Sequence, residues 1–187
     1  MKEKKGKIIA LIIAIIVVVL AILIIPTARK MMIFRMIDAK TEKLEKSEKN
    51  VYLKIENGED TAEVYFLNDT QKIVLNGEMV GDIIKATEDN PEPNFSNRFN
   101  HYFYTNFGET YLKAKDTQIK TVQIDGKKYY EIIETHNEEN KMPERNIIYV
   151  EKDTGITKKE IRIMEEKTYT IITEYKLGTV TEADFTE

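Results

Sequence analysis

The chain contains no cysteine. That excludes disulfides, thiolate metal sites, cysteine catalysis and a lipidated N-terminal cysteine. Serine is nearly absent too: Ser47 and Ser96 are the two present, and neither lies in a G-x-S-x-G elbow. Two histidines remain, His101 and His136. A zinc site needs further histidine ligands at helical or hairpin spacing, and none is available. His136 lies in a polar stretch beside Glu134, Glu138 and Glu139 and reads as a solvated loop histidine. The eight glycines make no phosphate loop; Gly58, Gly77, Gly126 and Gly155 are explained by turns. No calcium loop has the required spacing. Carboxylates are many, but they alternate along strand-like runs and single out no acid–base pair. The expectation is a non-enzyme with no catalytic residue, no metal and no cofactor.

What is present begins with Ile8 to Ile25, eighteen residues without a polar side chain. As a helix at ~1.5 Å per residue this is about 27 Å, close to the thickness of a bilayer's hydrocarbon. Three readings compete. A cleaved signal peptide has a shorter apolar region and a small-residue cleavage site. Here Pro26-Thr27-Ala28-Arg29 follows, and Pro26 occupies one of the small-residue positions. A buried core helix of a soluble protein does not need an apolar surface all round. An uncleaved anchor fits best. Lys2, Lys4, Lys5 and Lys7 precede it, and Arg29, Lys30 and Arg35 follow. Positive-inside counting therefore predicts a single-pass cell-membrane protein with a cytoplasmic N-terminus and an extracytoplasmic body.

Of 28 basic and 32 acidic residues, the first thirty positions hold six and one. The remaining 157 residues carry 22 and 31, a net charge of −9. That length suits one domain, and its charge repels nucleic acid. An extracytoplasmic domain without disulfides is more typical of bacterial than of eukaryotic secreted proteins, so a bacterial type is expected. The predicted organisation is a cytoplasmic tail (1–7), a transmembrane anchor (8–25), a helical neck (26–49) and an extracytoplasmic antiparallel β domain (50–187).

In the neck, Ile33, Ile37, Lys40 and Leu44 form one stripe with Met36 beside it, and Glu42–Lys46 and Glu45–Lys49 are i,i+4 pairs. Met31, Met32 and Phe34 are placed next to the bilayer, with Arg29, Lys30 and Arg35 meeting headgroups. The neck either continues the anchor and packs on the domain or forms a short coiled coil, for which the stripe is short.

From Val51 the apolar period becomes 2: Val51, Leu53 and Ile55; Ala62, Val64 and Phe66; Ile73 and Leu75. Asn57-Gly58 and Asn76-Gly77 supply turn chemistry. Glu78 to Ala86 suits either a helix face or a strand, and strand is favoured. After Pro91 and Pro93, Phe95, Phe99, Phe103 and Phe107 recur every four residues, one stripe of a short helix capped by Asn94 or Ser96. That helix either closes one face of a sheet or acts as a lid over an apolar groove. The second half alternates again, with a hairpin signal at Asp125-Gly126 and a turn at Asp153-Thr154-Gly155. Eight to ten strands are expected, wet on one face and covered on the other.

The closing segment Asn146 to Phe185, NIIYVEKDTGITKKEIRIMEEKTYTIITEYKLGTVTEADF, resembles the C-terminal part of the LolA-like lipoprotein-carrier superfamily, which includes RseB-type and LppX-type domains. The shared features are a strand, a D-x-G-type turn, a Lys/Glu-rich strand, a Tyr-bearing last strand and a short acidic end with a Phe. The resemblance extends over about residues 40–185. It implies an α+β, mostly β fold: a curved antiparallel sheet, an unclosed half-barrel, with a helix packed on it. It also implies a binding domain for a lipid, a lipoprotein or an envelope protein. Phe95, Phe99, Phe103 and Phe107 are then the candidate cavity lining. The anchor departs from the family pattern, since a shuttling carrier is hobbled by a tether. The alternative is a regulatory or sensor module that contacts another membrane protein.

Overall fold

The computed structural model describes residues 2–68, 70–85, 117–135, 145–164 and 167–186. Among these residues one helix, α1 (Lys2–Ser47), precedes ten strands: β1 (Asn50–Asn57), β2 (Asp60–Leu67), β3 (Thr70–Leu75), β4 (Glu78–Met79), β5 (Ile84–Lys85), β6 (Thr117–Ile124), β7 (Lys127–Thr135), β8 (Arg145–Glu151), β9 (Thr157–Met164) and β10 (Lys167–Leu177). A 3-10 turn, Glu182–Phe185, follows.

All the strands join one antiparallel sheet in the order β4-β3-β2-β1-β10-β9-β8-β7-β6, with β5 also beside β3. The first and last long strands are thus neighbours at its centre. The first meander runs outward from β1, and the second begins at the far edge and returns to meet it. The β4/β5 edge and the β6 edge do not pair with each other, so the sheet is open. One apolar helix followed by an open, mostly β sheet is the architecture expected.

Turn chemistry sets the hairpins. Asn76-Gly77 and Asp125-Gly126 both hold two successive positive φ angles (51° and 85°, 49° and 79°), the type I′ geometry that matches strand twist. The stretch of ambiguous period holds strand at Glu78–Met79 and Ile84–Lys85 and none between them. It is broken into β4 and β5 at Gly81, whose φ is +71°.

α1 runs unbroken through Pro26 and changes character along its length. From Ile12 to Ile25 its described apolar side chains are mostly half exposed. Beyond that, Thr27, Met31, Phe34, Ile37 and Thr41 are buried, a stripe with spacings of 4, 3, 3 and 4 on one helical face. Met31, Phe34 and Ile37 pack with Tyr130, Ile132, Ile148 and Val150, with Ile33 and Ile119 at the margin. Leu44 extends the contact to Val51, Phe66 and Ile156.

This corrects the placement of Met31 and Phe34 at the bilayer surface: Phe34 is 0% exposed. It also rotates the predicted stripe. Lys40 sits at its edge, and its ammonium donates to the Lys152 carbonyl. Met32 and Met36 are exposed.

The β8–β9 turn receives the helix. A Cβ added at Gly155 would lie 2.9 Å from the Ile37 carbonyl oxygen and 3.1 Å from Lys40 Cβ. The turn is held by Gly155 N–H donating to Glu151 O at 2.8 Å and Ile156 N–H to the Thr154 hydroxyl at 3.2 Å. Burial acts to raise the Glu151 pKa. The Lys127 ammonium at 2.9 Å and the Thr154 hydroxyl at 2.8 Å outweigh it and hold the carboxyl below its usual range.

Candidate binding face

Residues paired across an antiparallel ladder share a face, so the register maps the side that meets α1. On the β1–β3 half it is apolar. Leu53, Val64, Ile73 and Tyr175 form one row, and Ile55, Ala62, Leu75 and Thr173 the next. Exposure rises toward the edge: Leu53 is buried, whereas Leu75 is 43% exposed. An open depression of about 260 Å³ lies here, lined by Ile55, Ala62 and Leu75 with Asn57, Asp60, Thr61 and Asn76 around it. The hairpin ends that frame it are tied together, since Thr61 N–H donates to Asn76 Oδ1 at 2.7 Å.

On the β6–β10 half the same face turns polar beyond the helix contact. Thr117, Glu134, Asn146, Arg162 and Tyr169 are in register. Thr117, Glu134 and Asn146 are buried. Asn146 Nδ2 donates to Glu160 Oε1 at 2.8 Å, and Arg162 holds the same carboxylate through two N–H groups at 2.8 and 3.1 Å. This fork fixes Glu160 as an acceptor.

The opposite face carries a tyrosine and charge ladder. Tyr52 and Tyr65 are cross-strand partners with ring centroids 5.2 Å apart, and both hydroxyls donate to Glu63, at 3.1 and 2.8 Å. Burial and then the hydrogen bond to Glu63 push Tyr65 up to about 12, and Tyr52 rises for the same reasons. Lys176 lies 5.2 Å from the Tyr52 ring centroid. Lys72 donates to the Asp184 carbonyl at 2.8 Å, which fastens the C-terminal turn to β3. Asn50 completes the closure, its side-chain amide exchanging two hydrogen bonds with Val180, at 2.7 and 2.8 Å.

Phe95, Phe99, Phe103 and Phe107, the predicted cavity lining, lie outside the described residues, as do His101 and His136. The helix that packs on the sheet among the described residues is the second half of α1. The groove at Ile55, Ala62 and Leu75 is not among the sites the sequence singles out. Its signal was the apolar alternation of three successive strands, which shows a face but not its register. Among the described residues no three His, Cys, Asp or Glu side chains gather as a metal site.

No family model matches the chain, and no curated protein matches it. Among solved structures it is similar to an uncharacterized conserved protein from Thermus thermophilus, at 11% identity and a TM-score of 0.43, covering 79% of this chain and 90% of that one. It is similar to LprF from Mycobacterium bovis at 10% identity and a TM-score of 0.41, covering 83% and 96%. A LolA superfamily protein from Nitrosomonas europaea matches at 10% identity and a TM-score of 0.26, covering 82% and 97%. All three are weak likenesses.

Proposed function

We propose that the chain is a membrane-anchored, extracytoplasmic, non-enzymatic binding domain. Residues 8–25 cross the bilayer from a cytoplasmic tail at 1–7, residues 26–49 lead out of it, and residues 50–187 hold the binding sheet. One observation carries this reading. A single helix, α1, has an apolar half standing clear of the sheet and a second half whose Phe34 and Ile37 are buried in it. Water does not tolerate an apolar rod of that length exposed on all sides, whereas hydrocarbon does. By length and composition α1 is long and apolar enough to cross a membrane.

The ligand class is a lipid, a lipoprotein or an envelope protein, bound on the helix-side face with Phe95, Phe99, Phe103 and Phe107 as lining. A regulatory module touching another membrane protein is the second reading. It is favoured by α1 belonging to both the apolar span and the core, so that a shift in the sheet reaches the span without a linker.

Alkaline carbonate extraction and protease accessibility of intact cells test the anchor. The chain should stay in the membrane pellet, and protease should cut the body from outside. Release into the supernatant, or a protected body, refutes it. Mass spectrometry of material co-purified with the detergent-extracted chain separates bound lipid from a membrane-protein partner.

A further inference from the structure

The depression at the outer ends of β1, β2 and β3 has a composition that selects its occupant. Ile55, Ala62 and Leu75 line its floor in register, and Val80, hydrogen-bonded to Ile73 beside them, is 47% exposed. Asp60 lines the rim, and Glu78 is paired with Leu75 across β3–β4. Asp60 and Glu78 are the acidic residues in register with this face, whereas Glu56 and Glu63 lie on the opposite one, Glu56 paired with Lys54 at 2.7 Å and Glu63 with Tyr52 and Tyr65. Among the described residues no lysine or arginine lines the depression.

Size and charge each exclude a class of ligand. About 260 Å³ in an open depression is below the ~300–1,000 Å³ of pockets that enclose a whole drug-sized ligand, so it does not enclose a full acyl chain. It holds one or two aliphatic side chains. An acidic rim repels anionic headgroups and attracts lysine and arginine. We infer that this groove is a docking site for a basic amphipathic peptide segment of a partner protein, which seats an aliphatic side chain on Ile55, Ala62 and Leu75 and sets its cations against Asp60 and Glu78. The inference rests on the reading of the body as a binding domain and is independent of the anchor.

The test uses the full chain in phosphatidylcholine nanodiscs, with empty discs as background. Fluorescence anisotropy follows a labelled Leu/Lys amphipathic peptide and a Leu/Glu peptide of the same pattern. The Leu/Lys peptide should bind above background and about tenfold more tightly than its acidic counterpart. Ala62→Leu, which fills the floor, and the double variant Asp60→Lys/Glu78→Lys should each weaken it about tenfold while circular dichroism stays unchanged. Equal binding of the two peptides overturns the inference without any variant, as does unaltered binding to folded variants. A chain that ignores the peptide yet co-purifies with lipid or a membrane protein overturns the groove and leaves the binding reading standing. A chain that binds the peptide but is released by carbonate does the reverse for the anchor.

Discussion

Two glycines with the same backbone conformation isolate the seat of α1 on the sheet. Gly126 has φ +79° in the β6–β7 hairpin, and Gly155 has φ +78° in the β8–β9 turn. A Cβ at Gly126 meets nothing within 4 Å; at Gly155 it meets the Ile37 carbonyl at 2.9 Å, Lys40 Cβ at 3.1 Å and Thr41 Cγ2 at 3.3 Å. Alanine at either site incurs the left-handed backbone cost, about 1–2 kcal/mol. Only Gly155→Ala adds overpacking against helix backbone, about 1–3 kcal/mol. Gly126→Ala should therefore cost about 1–2 kcal/mol and Gly155→Ala about 2–5 kcal/mol in total. Urea unfolding of the detergent-solubilised chain, followed by circular dichroism, measures both. For a chain of this size the excess is worth roughly 2–4 °C in Tm per kcal/mol. Equal losses would show that the helix does not lie against the turn, and the described packing of α1 would be wrong.

Three further outcomes are expected. Phe34→Ala, at a fully buried position, should cost about 3–5 kcal/mol by the same assay, whereas Met32→Ala, 72% exposed, should stay within about 0.5 kcal/mol. Comparable losses would mean that the buried stripe is misassigned. Tyr65 is pushed above its ordinary value of 10.0 to about 12, so its contribution to stability is complete below pH 10 and fades as pH rises toward 12. Glu63→Gln should bring the latest-titrating tyrosine absorbance at 295 nm to lower pH, and alkaline unfolding with it; an unmoved titration refutes the shared Glu63 contact. Glu151 is held below its ordinary 4.5, so its contribution is present above that pH and lost on acidification. Lys127→Met or Thr154→Val should move acid unfolding to higher pH, and no movement would deny those two donors their role.

Much of the sheet was readable because its signals are local. Period-2 alternation marked β1, β2 and β3, and Asp125-Gly126 and Asn76-Gly77 sit at turns where φ is positive twice. Asn57-Gly58 marked the right turn one residue early, since Asn57 pairs with Asp60 and the centre is Gly58-Glu59. The phase of the neck was not readable. Met31, Met32, Ile33, Phe34, Met36 and Ile37 are apolar on both sides of the helix, so periodicity alone does not choose between Ile33 and Phe34 as the inward position. The sheet chooses, by offering Ile132, Ile148 and Val150 where Phe34 can fit. Long-range order was hidden for the same reason. That β10 returns beside β1 depends on the whole sheet, and the row Ile55, Ala62 and Leu75 exists only once three strands are in register. The aromatic stripe Phe95 to Phe107 is dense in sequence, whereas the groove is assembled from residues far apart in it.

The consequence for where the domain begins is energetic. A fragment starting at residue 50 keeps the ten described strands but loses Met31, Phe34 and Ile37 from the main core cluster. Each fully buried side chain of this kind contributes about 1.5–3 kcal/mol, so the three together supply roughly 5–9 kcal/mol. A domain's whole stability is about 5–15 kcal/mol, so the loss is comparable to the total. It also uncovers Tyr130, Ile132, Ile148 and Val150 to water. A fragment from residue 27, where Thr27 is already 9% exposed, keeps the contact and drops the apolar rod. The longer fragment should be soluble and unfold cooperatively, and the shorter one should aggregate or lack a cooperative transition. A cooperative, soluble 50–187 fragment would mean that the helix rests on a core complete without it. The apolar half of α1 would then have no energetic tie to the sheet.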